Sequence, residues 1–160
     1  MNWQAFAAIS TAVYAIIVLI SVIILARQLV ELRRATWANS FLGCVSRLQA
    51  ERLRKAREKT FELGETKRFE QWTDEEKKIV DMVCHNYDIV GMIAAWGMLP
   101  KEIIVDSWCD SIRRLWAICE PRVEEQRKRR KALELWDDFQ WLAKEAEKFD
   151  LSRARLRKRH

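Results

Sequence analysis

Asp81, His85 and Asp88 stand at i, i+4 and i+7, with Cys84 beside the histidine. On a helix this spacing puts two carboxylates and an imidazole on one face, where they could share a divalent cation or hand on a proton. A zinc-type site draws three or four ligands from the protein. The chain contains no HExxH stretch and no second ExxH arm to supply the rest. The pattern is therefore read as a histidine salt-bridged at the rim of a helix bundle, and the three residues stand only as candidate metal ligands. The second histidine is His160. No glycine-rich phosphate loop, nucleophile elbow or catalytic pair of carboxylates in a recognised spacing occurs. No catalytic residue, metal or cofactor is assigned, and the chain is expected not to be an enzyme. Cys44, Cys84, Cys109 and Cys119 form no CxxC and no disulfide framework. In a cytoplasmic domain they are expected to be free thiols acting as small apolar groups.

The cations form the other chemical set. Net charge is +6, but its distribution matters more than its sum. Residues 1–26 carry no charged side chain, and residues 27–59 then hold nine basic against three acidic groups. Residues 60–121 reverse the balance, with seven basic against twelve acidic. The surplus returns in RKRRK (127–131) and in RARLRKRH (153–160). These clusters fit a solvated helix face and a frayed tail, or a surface lying on an anionic leaflet, where each Lys or Arg contributes about 1 kcal/mol. An acidic block at 134–150 and the lack of a recognised binding module argue against nucleic acid. The residues assigned to the membrane surface are Arg27, Arg33, Arg34, Arg127, Lys128, Arg129, Arg130 and Lys131, with anionic lipid as the partner that such charge selects.

Long helices must position all of these groups. Only four Gly and two Pro punctuate 160 residues, and no stretch shows sustained period-two alternation. The expected fold is all-α. From Trp3 to Ala26 run 24 residues without a formal charge; as a helix they would measure about 36 Å, against a hydrocarbon core of about 30 Å. MNWQAFA lacks the basic residues of a signal peptide, ILARQL (24–29) is a poor cleavage site, and with Met1 at its head the chain is expected to be untrimmed. The segment 3–26 is thus predicted to be a transmembrane anchor. Lys and Arg fall only on its C-terminal side, which puts residues 1–2 outside and the remainder in the cytoplasm. Ala5, Ala8, Ala12 and Ala15 share one stripe, a surface on which another helix could pack closely in lipid. Ser10, Tyr14 and Ser21 form a sparse polar line on roughly the opposite side. Tyr14 lies near mid-membrane and needs a hydrogen-bond partner there.

Beyond the anchor, a juxtamembrane helix is expected over 27–63, ended by Gly64 as its C′ residue, with a bend available around TWANS (36–40). Residues 64–72 read as a loop. Thr73 and Glu76 make a capping box for a helix with Ile79, Met82, Val83, Asn86, Ile89, Val90 and Ile93 on its apolar side. Pro100 opens the next helix, carrying Trp108, Ile112, Leu115, Trp116 and Cys119. Pro121 is expected to kink or restart the chain. The last helix should bury Leu133, Trp136, Phe139, Leu142, Ala143 and Ala146. Residues 73–149 thus predict a small bundle, and 150–160 a basic tail. Its tryptophans are read as core.

The stretch NYDIVGMIAAWGMLPKEIIVDSWCDSIRRLWAICEPRVEEQRKRRK, with LWDDFQWLAKEA after it, resembles a family of uncharacterised bacterial proteins. Asn86, Tyr87, the Gly97–Leu99 turn, Trp108, Trp116, Pro121 and Trp136–Ala143 carry the likeness. The resemblance implies one N-terminal transmembrane helix, a helical cytoplasmic domain of unknown function and a bacterial inner-membrane setting. No catalytic residue comes with it. The expected role is an accessory or scaffold subunit that packs through its anchor against another membrane protein, a larger complex or a second copy of itself. A membrane-tethered signalling or phage-defence component answering to a cytoplasmic ligand is the alternative.

Overall fold

A computed structural model describes the backbone of residues 3–157 and the side chains of residues 3–150 other than 5, 6 and 8. The expected extracytoplasmic residues 1–2, the packing expected of the Ala5 and Ala8 side chains, and the side chains of 151–160 lie outside the described residues; the backbone of 150–157, expected as a tail, continues the last helix instead. Among the described residues the fold is all-α, with five helices: α1 (Trp3–Gln49), α2 (Glu51–Thr66), α3 (Asp74–Ala95), α4 (Lys101–Arg130) and α5 (Asp137–Arg157). A short 3₁₀ turn, Phe69–Gln71, precedes α3. The chain divides into two units, Met1–Ala38 and Asn39–His160.

Over its described residues the first unit is a single helix. Its apolar residues from Ile9 to Leu32 are exposed wherever their side chains are described. Three of its hydroxyls donate back along the helix. Thr11 Oγ1 donates to the Ala7 carbonyl at 2.9 Å and Ser21 Oγ to that of Ile17 at 2.8 Å. Thr36 Oγ1 does the same to Leu32 at 2.9 Å. Residues 36–40, where a bend was available, are helical throughout.

The second unit begins inside α1, where Cys44 and Leu48 are buried. The helix expected over 27–63 is instead broken at Ala50, whose ψ of 132° is extended. Helical geometry explains the break. Leu53, Ala56, Thr60 and Leu63 form the buried face of α2, but Leu53 follows Cys44 by nine residues, about half a turn out of phase at roughly 100° each. Only a break brings both stripes to one core. Gly64 does not end α2 but lies within it; a Cβ there would stand 2.7 Å from Ile118 Cδ1, so glycine lets α2 approach α4.

Thr73 and Glu76 form the expected capping box, with Thr73 N donating to Glu76 Oε2 at 2.9 Å and Glu76 N to Thr73 Oγ1 at 3.3 Å. The seam of α3 is rotated from the expected one. Val80, Val83, Cys84, Tyr87, Val90, Gly91 and Ala94 are buried, while Ile79, Met82, Asn86, Ile89 and Ile93 are only partly so. Both stripes keep a helical period, and α5 packing along α3 selects between them. Gly97, at φ 71°, closes α3, with Gly97 N donating to the Ala94 carbonyl and Met98 N to that of Ile93, both at 3.1 Å.

In α4 the departure from helical geometry falls at Trp108 (φ −132°, ψ 19°), not at Pro121. The bond that Pro121 cannot make would go to the Ala117 carbonyl, and both residues are exposed, so water can take its place. The chain turns only after Arg130, through Lys131 and Trp136, both with positive φ. Leu133 belongs to this turn and is 80% exposed, contrary to its expected burial; the rest of the α5 set is buried. Phe139 is the hinge of the core. Its ring centroid lies 5.2 Å from those of both Tyr87 and Trp116. Fully burying a side chain of this size contributes about 1.5–3 kcal/mol.

Candidate functional site

The fold separates the three residues whose spacing suggested chemistry. Asp81 turns to α4, where Arg122 grips it at both oxygens, Nε to Oδ1 and Nη2 to Oδ2, each at 2.8 Å. The same guanidinium also pairs with Glu125, which Lys77 approaches at 3.4 Å. Arg122 is buried, and its hydrogen bonds to Asp81 raise its pKa above the ordinary arginine value. Asp88 turns to α5, accepting the Phe139 amide at 3.1 Å. A carboxylate from α3 thus caps the orphan amides at the start of α5. Burial raises the Asp88 carboxyl above the usual value, with the Phe139 amide working against it. His85 is exposed at the rim, and the salt bridge expected of it is not among those formed by the described residues. Among the described residues no group of three His, Cys, Asp or Glu side chains converges to hold a metal ion.

What the arrangement does is join helices. Tyr87 Oη meets Ser111 Oγ at 3.0 Å and accepts Arg57 Nη1 at 3.3 Å, tying α2, α3 and α4. Lys101 bonds Glu145 across α4 and α5, and Lys148 adds a second contact at 2.6 Å. Lys101 and Lys148 hold the Glu145 carboxyl below its usual range. Arg127 is only 15% exposed and clamps the α4–α5 turn, reaching the Leu135 carbonyl at 2.8 Å, Asp137 at 2.7 Å and Gln140 at 3.1 Å. It is spent on folding, which leaves Lys128, Arg129, Arg130 and Lys131 exposed. Cys44, Cys84 and Cys119 are buried free thiols and Cys109 is half-buried. Burial, with Cys119 as neighbour, pushes the Cys84 thiol up, away from reactive thiolate.

Arg122 and Tyr87 are the linking residues that sequence reasoning missed. A signal for Arg122 existed, since it follows Cys119 by three residues and Leu115 by seven, on the stripe expected to be buried. A cation on such a stripe implies a carboxylate opposite.

The second unit also has a polarity along its length. Tyr87 opposite Ser111 and Asp81 opposite Arg122 make α3 and α4 antiparallel. Phe41 packs on Trp108, ring centroids 5.9 Å apart, and Arg47 Nη1 donates to Asn86 Oδ1 at 3.2 Å. The last turns of α1 therefore run the same way as α4 and enter this unit at the end carrying the α3–α4 turn. Lys128–Lys131 occupy the other end, about 30 Å along α4 from Trp108 at 1.5 Å per residue.

The strongest surface feature is α1 itself. It contains a window with mean hydropathy 2.7 and no burial, long and apolar enough to cross a membrane; a signal sequence meets the same criteria. Tyr14 is 69% exposed on it, and Ala12, Ala15, Arg27, Arg33 and Arg34 are exposed too. Arg34 pairs with Glu31 at 3.1 Å. A family model described as "Domain of unknown function (DUF4760)" matches residues 5–146. No curated protein and no solved structure matches the chain.

Proposed function

We propose, from the premise that this chain belongs to the DUF4760 family of domains of unknown function, that it is a non-catalytic single-pass accessory or scaffold subunit of a bacterial inner membrane. Its N-terminal helix would pack against another integral membrane protein or a second copy of itself, and its helical unit would brace the cytoplasmic face. The observation that carries this reading is the fully exposed apolar window of α1, because in water so much uncovered apolar surface demands a lipid or protein partner. Exposed Arg27, Arg33 and Arg34 follow the window, which favours retention of the C-terminal unit in the cytoplasm and contact with anionic lipid at these three residues. The non-catalytic part of the reading is supported by the use of Asp81 and Asp88 in joining helices.

The test is extraction in mild detergent, with intact chain mass, particle mass and composition measured together. An uncleaved chain in a defined assembly with other subunits supports the reading. A chain shortened at its N-terminus points to a signal sequence and overturns it. Ala12→Leu with Ala15→Leu should strip the partner; full recovery of the assembly after those substitutions would remove the alanine stripe as its packing surface.

A further inference from the structure

We propose that the α4–α5 turn docks a partner protein, with Leu133 as its apolar anchor and Lys128, Arg129, Arg130 and Lys131 as the charges that select an acidic segment. The inference rests on the accessory reading above and names the surface through which the helical unit would meet its partner. Leu133 is 80% exposed, more than any other large apolar side chain among the described residues, and the four cations before it are exposed too. Leu133 adds nothing to the core, yet the turn that presents it is strained and firmly built. Lys131 and Trp136 have φ of 53° and 59°, a region that residues other than glycine rarely adopt and a bulky aromatic least of all. Arg127 holds the strain in place through Leu135, Asp137 and Gln140. Ala132 N donates to the Arg127 carbonyl at 3.1 Å and Leu135 N to that of Ala132 at 3.3 Å. Backbone strain that the surrounding bonds over-determine is a mark of recognition elements, and here it keeps Leu133 outward among the cations.

Charge selects the occupant. Asp137 is taken by Arg127 and Glu124 stands 4.0 Å from Lys128, which leaves Glu134 as the acid of the turn without an ion pair among the described residues. Asp74 and Glu75 are exposed at the start of α3, so the positive surface is confined to the turn itself. A carboxylate-rich segment bearing an apolar side chain complements both the cations and the leucine. A phosphate backbone would use the charges and leave Leu133 without a contact. A bilayer surface is bound by a whole apolar face, where this turn offers one fully exposed leucine.

The experiment uses the full chain in its native cells, with Leu133→p-benzoylphenylalanine as a photoreactive probe and Ala15→p-benzoylphenylalanine as a separate variant. After irradiation, adducts are sized and the joined peptides mapped by mass spectrometry. The expected result is a protein adduct from position 133, joined at a segment rich in Asp and Glu, whose yield falls about tenfold when Arg129→Gln and Arg130→Gln are added. An adduct with lipid, with nucleic acid or with a second copy of this chain overturns the proposal. So does a protein adduct joined at a segment without acidic residues, or one whose yield ignores the two substitutions. A protein adduct from position 15 with none from position 133 overturns this inference and leaves the accessory reading standing. Absence of a protein adduct from both positions overturns both.

Discussion

Replacing three glycines by alanine, one at a time, should give three different answers from one chemical change. Gly43 lies inside α1 with nothing within 4 Å of a new Cβ, so Gly43→Ala gains only the helix preference of alanine, about 0.5–1 kcal/mol. Gly64 faces the side chain of Ile118 at 2.7 Å. That side chain can swing aside at about 0.5–1.5 kcal/mol, which cancels the gain. Gly91 faces backbone. Its Cβ would stand 2.6 Å from the Asp138 carbonyl carbon, and nearer still to the oxygen. Backbone in the first turn of α5 cannot rotate away, so α5 must move off α3. The movement costs about 1–3 kcal/mol in packing and weakens the Asp88 cap on Phe139, worth about 1 kcal/mol. Net of alanine's preference, Gly91→Ala should lose about 2 kcal/mol, or roughly 6–10 °C in Tm for a unit of this size. Thermal unfolding of the full chain in mild detergent, followed by circular dichroism, reads all three. A Gly91→Ala protein that melts with wild type refutes the close α3–α5 contact, and a Gly64→Ala protein that falls as far refutes the easy displacement of the Ile118 side chain.

Three further outcomes follow from the ionisable side chains. Arg122→Met leaves Asp81 half-buried without its partner and should cost about 2–3 kcal/mol by urea unfolding, since Asp81 keeps some solvent; adding Asp81→Leu should return most of it. On acidification the two carboxylates act with opposite sign. Glu145, held low by Lys101 and Lys148, contributes stability above its ordinary value that is lost as pH falls through its lowered one. Asp88, raised by burial, is better tolerated when protonated and adds stability as pH falls through its raised value. Melting temperatures from neutral to acid pH should therefore fall less steeply in Glu145→Gln and more steeply in Asp88→Asn than in wild type; parallel curves would contradict this assignment. His85→Ala should change neither metal content by mass spectrometry nor stability beyond about 0.5 kcal/mol.

The legible parts of this protein were those with a local cause. The apolar run from Trp3 to Ala26, the scarcity of Gly and Pro, and Thr73 with Glu76 are written in neighbouring residues, and the helices and the capping box follow from them. The candidate site was not legible in that way. Asp81, His85 and Asp88 share a helical face, but a side chain takes whichever partner the packing brings, and the packing brought Arg122 to one and the amide of Phe139 to another. The break at Ala50 has no Gly or Pro to announce it. It arises because two apolar stripes half a turn out of phase must reach the same core. Gly64 read as a stop and serves instead as a gap for Ile118. Pro121 read as a restart, yet the helix runs through it because the lost hydrogen bond faces water. The sequence alone determined that the chain is helical and which segment is apolar enough to cross a membrane. Which side of each helix is buried, which charges are spent on folding, and which end of the unit carries Leu133 were decided by tertiary contacts, because those depend on distances between residues far apart in the chain.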